Sequence, residues 1–335
     1  MRNFSEIFED CTSLGTKIKT DEYSKTGRYA IIDQGQNDIA GYTNRTDGAY
    51  TDVPAIIFGD HTRVIKYVDQ PFFLGADGVK LLKARNADSN YRYFYYALQS
   101  VQIPNTGYNR HFKWLKEAKI RYPDAETQQR VVLVLDKLSN VITERKQQLA
   151  ALDTLIKARF VEMFGDPILN PMSWQKVELK NNATLLNGRA YKQTELLDNG
   201  KYPILRVGNF FSNRSWYYSN LELEKDKYCD DGDLLYAWSA SFGPRIWNGG
   251  KVIYHYHIWK ILIGEAYNKQ FLCELLDYVT ESLMGDTHGI AMMHLTKSSM
   301  EKTKFIVPPI ELQNQFAAFV AQVDKSKFGM LKDSR

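Results

Sequence analysis

The sequence predicts an α+β fold: two mixed α/β blocks arranged as a pseudo-repeat and joined by long coiled-coil helices. Three observations predict it. The stretch "YPDAETQQRVVLVLDKL" (122–138) returns as "VPPIELQNQFAAFVAQV" (307–323), with Pro123 against Pro308, Glu126 against Glu311, Gln128 against Gln313, Val131 against Phe316 and Leu135 against Val320. Downstream of Asp124 the chain carries an apolar seam in alternating steps of four and three: Val131, Leu135, Leu138, Ile142, Arg145, Leu149, Leu152, Ile156, Arg159 and Met163. Such a seam is that of a coiled coil. Strand-like runs recur in the same order ahead of each copy, and an internal repeat of this size marks a pseudo-symmetric protein.

The elements follow in order. In the first block, 1–122, the runs "YAIIDQG" (29–35), "PAIIFGD" (54–60) and "VKLLKA" (79–84) suit buried strands, and "NYRYFYYALQSV" (90–101) has helical spacing. The first long helix is expected over 123–163, with Asp124 as N-cap and neither Gly nor Pro from there to Met163. At 1.5 Å per residue it would be roughly 60 Å long. "FGDPILNP" (164–171) ends it. The second block, 164–307, repeats the strands in "YPILRVGN" (202–209), "GDLLYAWSASFG" (232–243) and "KVIYHYHIWKILI" (251–263), followed by a helix at 268–279. "HYH" (255–257) would then alternate on a strand, pointing both His to one face, where packing or a DNA-facing role fits better than a metal. Across blocks, "GRYAII" pairs with "GKYPIL", "PAIIFGD" with "GDLLYAW", and "GADGVKLL" with "HYHIWKIL". A second helix is expected over 308–328, broken by Gly329, with a tail at 329–335.

Composition narrows the class. The 335 residues are 44% hydrophobic and 24% charged, ordinary for a globular protein with two cores. A formal charge of +4 permits an anionic partner without requiring one. Cys11, Cys229 and Cys273 make no CxxC pair and no zinc spacing. The N-terminus "MRNFSEIFEDCTSLG" carries acids where a signal peptide needs an apolar run, and no apolar stretch is long enough for a membrane, so a cytoplasmic location is expected. No catalytic residue, cofactor or metal is expected. The sole Pro-Pro lies in "IVPPIEL" and introduces a helix rather than a methyltransferase motif; "LGADG" is a turn rather than a dinucleotide fingerprint; there is no Walker A sequence.

"PDAETQQR" and "PPIELQNQF" at the helix starts, "RFVEMFGDP" (159–167), "IIFGDHTRVIKYVDQPFFLGADGVKLLK" and "GDLLYAWSASFG", taken in their order and spacing, resemble the specificity (S) subunits of type I restriction-modification systems, over the chain to about residue 325. The resemblance implies two target recognition domains, each reading half of a bipartite double-stranded DNA sequence. It implies two antiparallel helices that act as a ruler, and a non-catalytic subunit that docks two modification (methyltransferase) subunits, which restriction subunits join. Half-site spacing is then a geometric output of the protein. A stand-alone nuclease or methyltransferase with a fused recognition module is the alternative, and a coiled-coil scaffold without DNA is a third class.

Arg and Asn pair bidentately with guanine and adenine edges, while Lys and Ser mostly hold phosphate. The DNA-binding candidates are therefore polar loop residues. The first block offers Arg45, His61, Arg63, Tyr108, Asn109, Arg110 and Lys113. The second offers Arg189, Tyr191, Lys192, Asn213, Arg214, Ser239, Ser241 and Arg245, with Trp216 beside them. The chain departs from the family pattern in its second helix, whose seam of Phe316, Val320 and Val323 meets Lys327. Paired antiparallel, 149–163 would face the start of that helix near Phe316, and Leu149 and Leu152 would be buried. Val131, Leu135, Leu138 and Ile142 would remain for a modification subunit or for self-association with a second copy.

Overall fold

The computed structural model describes residues 1–75, 77–86, 88–212, 214–285 and 295–332. The chain divides into two compact units, Met1–Glu144 and Arg145–Arg335. In the first, strands β1 (Phe8–Asp10), β2 (Tyr29–Ile32), β3 (Gly41–Thr43), β4 (Ala55–Gly59), β5 (Ile65–Val68), β6 (Phe72–Leu74) and β7 (Val79–Ala84) precede helices α1 (Tyr91–Gln99) and α2 (Phe112–Glu117). They form a four-stranded sheet, β1-β7-β4-β5, and a three-stranded sheet, β3-β2-β6. β4 is buried along its whole length, as its unbroken apolar run requires. Phe8, Phe58, Phe94 and Leu115 join α1 and α2 to the first sheet in one core.

The second unit repeats this plan. Its strands are β8 (Ala183–Asn187), β9 (Tyr202–Leu205), β10 (Tyr217–Ser219), β11 (Tyr228–Cys229), β12 (Leu234–Ser239), β13 (Ser241–Ile246), β14 (Val252–Tyr254) and β15 (Ile258–Ile263). One sheet runs β8-β15-β12-β13, matching β1-β7-β4-β5 position for position. The other runs β10-β9-β14-β11, containing the counterpart of β3-β2-β6. In both units one pair within the second sheet is parallel: Ile31 beside Phe73, and Ile204 beside Ile253. The pairings read from sequence hold: "YAII" with "YPIL", "AIIFG" with "LLYAWS", "VKLL" with "IWKIL".

Two readings change. "GDLLYAWSASFG" is a hairpin rather than one strand, because Ala240 takes φ +66 and reverses the chain between Ser239 and Ser241. "HYH" is a turn before β15, so its rings converge instead of alternating. His255 and His257 rings are 4.8 Å apart, with Tyr256 at 4.3 and 4.0 Å from them.

Helix α3 spans Ala125–Phe164, beginning in the first unit and ending in the second. Asp124 accepts the Thr127 N–H at 2.8 Å and its hydroxyl at 3.0 Å, which caps the helix and lowers the Asp124 pKa. Gly165, at φ +72, closes it with an N–H to the Val161 carbonyl at 2.8 Å. In the second unit follow α4 (Lys269–Gly285), α5 (Lys297–Lys302) and α6 (Ile310–Lys332). Gly329 does not break α6, which runs through it to Lys332. A helical Gly costs only about 1 kcal/mol, and Val320, Val323 and the Lys327–Asp153 ion pair at 2.7 Å hold the preceding turns. Within this unit the end of α3 packs antiparallel to α6. Phe164 and Phe160 lie 5.7 and 5.6 Å from Phe316 near the start of α6, while Asp153 meets Lys327 near its end. Leu152 packs partly against this core and Leu149 is half-buried, less enclosed than expected; Ile156 and Phe160 carry the buried contact. No helix of the described residues is long and apolar enough to cross a membrane.

Candidate nucleic-acid interface

The repeated sheet plan gathers part of the candidate loops in each unit. In the first unit, buried Asp60 holds the cluster together. Its N–H donates to the Gly78 carbonyl at 2.7 Å, its carbonyl accepts the His111 N–H at 2.7 Å, and its Oδ1 accepts the Phe112 N–H at 2.7 Å. His111 Nδ1 also lies 3.0 Å from the Asp60 carbonyl. Gln34 joins the same cluster: its Oε1 accepts the His61 N–H at 3.1 Å, its carbonyl accepts the Thr62 hydroxyl at 2.6 Å, and its Nε2 donates to the Asp77 carbonyl at 3.0 Å. Buried Lys66 donates to the Asn37 carbonyl at 2.5 Å and meets Asp33 at 3.4 Å; burial lowers its pKa, against the pull of Asp33.

This anchoring assembles His61, Arg63, Tyr108, Asn109 and Arg110. Arg63 takes φ +63 in the β4–β5 turn and its guanidinium reaches the Ile103 carbonyl at 3.3 Å. The His61 and Tyr108 rings stack 4.6 Å apart at 8°. Exposed Lys113 lies 4.2 Å above the Trp114 ring on α2. Arg45 sits apart on the β3–β4 connection, turned onto Asp47 at 3.1 Å. Asp60 is an internal hydrogen-bonding post, and the described residues hold no cluster of His, Cys, Asp and Glu suited to a metal.

The second cluster forms on the equivalent edges. The Arg189 N–H donates to the Tyr254 carbonyl at 3.0 Å and the Tyr256 N–H to the Arg189 carbonyl at 3.2 Å. His255 N–H reaches the Leu205 carbonyl at 2.9 Å, and Trp238 donates from its backbone to His257 at 3.0 Å and from its indole to Tyr256 at 2.9 Å. Arg189, Tyr191 and the Ser239–Ser241 turn therefore adjoin the HYH turn. Arg189 spends its fork on Glu195, at 2.8 and 2.9 Å, which with the Lys192 N–H holds the Glu195 carboxyl down to about 2. Tyr191 is half-buried and Ser239 is buried, whereas Lys192, Arg214, Ser241 and Arg245 are exposed. Arg245 also passes 5.5 Å above the Phe210 ring, and Asn213 lies outside the described residues. Sequence reasoning missed Arg206 and the role of the HYH turn. Arg206 lies 4.3 Å above the Tyr217 ring, and its Nε is buried without a hydrogen-bond partner among the described residues. Burial, then His257 and Arg206, push His255 down to about 4, so its imidazole is neutral at pH 7.

The two units thus share one sheet plan, and each gathers Arg, Tyr and His side chains on neighbouring turns. The sequence matches the family described as "Type I restriction modification DNA specificity domain" over residues 1–153 and 171–334, and the chain belongs to that family. It is 26% identical over 163 residues to the type I restriction enzyme EcoBI specificity subunit of Escherichia coli, covering 46% of this chain and 34% of that subunit. It is 24% identical over 234 residues to the putative type I restriction enzyme MjaX specificity subunit of Methanocaldococcus jannaschii, covering 63% of this chain and 53% of that one. The matches thus span about a third to a half of these relatives. In fold the chain is similar to the S subunit of a type I restriction-modification system from M. genitalium, with a TM-score of 0.58 at 15% identity, covering 99% of this chain and 91% of the other.

Proposed function

We propose that this chain is the DNA sequence-specificity subunit of a type I restriction-modification complex. Each recognition block, 1–122 and 164–307, reads one half of a bipartite duplex target. The helices set the unread spacer and dock modification subunits, which restriction subunits join, and the chain itself performs no chemistry. The observation that carries this reading is a polar loop cluster on each of two units that share one sheet plan, in a member of a DNA specificity family. Of the candidates, His61, Arg63, Tyr108, Asn109, Arg110 and Lys113 in the first block and Lys192, Arg214, Ser241 and Arg245 in the second are the accessible contacts this reading favours. Binding of duplex DNA that weakens linearly in log affinity with log salt, together with adenine methylation only after modification subunits are added, tests it. Methyl transfer or cleavage by the isolated chain would favour the stand-alone enzyme.

The internal repeat also supports a docking surface for the modification subunits. In the second unit Phe160 and Phe164 of α3 fill the groove between α4 and the start of α6, 5.5 and 4.7 Å from Phe271. The counterpart groove in the first unit, between α1 and the start of α3, is an open cleft of about 590 Å³ lined by Tyr93, Tyr96, Tyr122, Val131 and Leu135. Beyond it along α3, Leu138 is 53% and Ile142 47% exposed. An apolar stripe next to an open aromatic cleft is a site for another chain, and we assign it to a modification subunit in preference to a second copy of this chain.

A further inference from the structure

We propose that the His61–Tyr108 ring pair is a stacking platform for an unstacked nucleobase. This rests on the DNA-binding reading and goes beyond it, because groove readout by hydrogen bonds needs no exposed ring face. Tyr108 is 87% exposed, the most exposed of the large hydrophobic side chains among the described residues. Its ring lies nearly parallel to that of His61, at 8°, with the ring centroids 4.6 Å apart. At that exposure most of the Tyr108 ring is open to water.

The pair is built in, rather than a chance contact of a loose loop. His61 is fixed through its N–H to Gln34, and the loop carrying Tyr108 is tied at its end by the His111 and Phe112 N–H bonds to buried Asp60. Within the loop, Gly107 at φ +79 accepts the Asn109 N–H at 2.8 Å and donates to the Asn105 side chain at 3.2 Å, and Asn109 Nδ2 donates to the Thr106 hydroxyl at 3.2 Å. A ring that already lies against a neighbouring ring, on a loop tied at its end, has less freedom to lose when a ligand stacks on it.

The surroundings select the ligand. Exposed Asn105, Asn109 and Arg110 rim the platform, with Arg63 beside it, and its carboxylate neighbours are occupied: Asp60 inside, and Asp77 paired with Lys17 at 2.8 Å. A flat ring with a cationic and amide rim suits a π-face attached to a phosphate backbone, whereas an apolar protein partner would meet polar groups on every side. Every base has such a face, so stacking here is tolerant of sequence and comes in addition to readout. In a duplex, a base reaches the platform only if it leaves its stack.

The test uses the full chain and two duplexes of one sequence: one fully paired, the other with a single 2-aminopurine bulge, monitored by anisotropy and by 2-aminopurine fluorescence. The expected result is binding of the bulged duplex roughly tenfold tighter than the paired one, with quenching of the probe. Tyr108→Ala should erase both the preference and the quenching, and Tyr108→Phe should retain them. Because Tyr108 is exposed, the variants should share the circular dichroism and melting of the parent. Equal affinity for the two duplexes, or a preference and quenching that survive Tyr108→Ala, overturns the platform while leaving DNA binding intact. Failure to bind either duplex overturns the DNA-binding reading and the platform with it.

Discussion

At the residue scale, the repeated proline-acid-glutamine motif has a hydrogen-bonding cause. Gln128 Nε2 donates to the Pro123 carbonyl at 2.9 Å, and Gln313 Nε2 donates to the equivalent Pro308 carbonyl at 2.8 Å. Each glutamine thus folds back to satisfy the carbonyl of the proline that starts its helix. Gln313 does more: it also donates to Ala266 at 3.0 Å and accepts the Asn268 N–H at 2.8 Å, joining α6 to the N-terminus of α4. Gln313→Ala leaves polar groups on three residues unpaired, buried Pro308 and half-buried Ala266 and Asn268, and should cost about 2–4 kcal/mol, while Gln128→Ala should cost about 1 kcal/mol. Denaturant unfolding of the two variants checks the order; equal effects would contradict it. The motif was legible in the sequence, but the fate of its side chain was not, because Asn268 lies far from Gln313 along the chain. The same limit applied at the loop clusters. β12 is buried on both faces, so no alternation distinguishes buried Ser239 from exposed Ser241, and the bend at Ala240 depends on a backbone angle that sequence seldom assigns to Ala.

Among elements, the seam of α3 was read correctly as apolar at steps of four and three, and its second half is where the packing lies. Phe160, off that seam, turns out to be the central contact, touching Phe164, Phe271, Tyr278 and Phe316. A strict two-residue seam could not reveal this, because a helix packed on both α4 and α6 needs a wider apolar face. Phe160→Ala should cost about 3–5 kcal/mol by calorimetry or denaturant melts. The same junction holds a pH-sensitive carboxyl. Burial, then the charge of Asp277, raises Glu274 to about 7, against the opposing pull of Lys157 and the Gln270 amide. A carboxyl whose folded pKa lies above its unfolded value favours folding when protonated, so this contribution is present below about pH 4.5 and is lost as pH rises to 7. Glu274→Gln should therefore stabilise the protein by about 2 kcal/mol at pH 8 and by little at pH 4, flattening the profile. A variant no more stable than the parent at pH 8 would contradict this.

For the whole molecule, the sequence revealed the repeat because both copies keep strand order and helix starts, and the order of the first sheet in the two units then agrees position for position. It could not reveal which loops converge, since that follows from which strands are neighbours. The exposed stripe of α3 carries its own prediction: Leu138→Glu with Ile142→Glu should leave the isolated chain folded, since both side chains face solvent, yet weaken its association with modification subunits at least tenfold in a sedimentation or light-scattering titration. Unchanged association would move the docking site elsewhere. The central claim is that two separate readers specify one DNA target. Its most direct test is to co-express the chain with modification subunits, map methylated adenines genome-wide, and repeat the map after exchanging residues 172–300 for the corresponding block of another family member. The account predicts a bipartite motif with an unread spacer, in which the exchange alters one half and leaves the other half and the spacer unchanged. A continuous motif, or an exchange that alters both halves together, would contradict it.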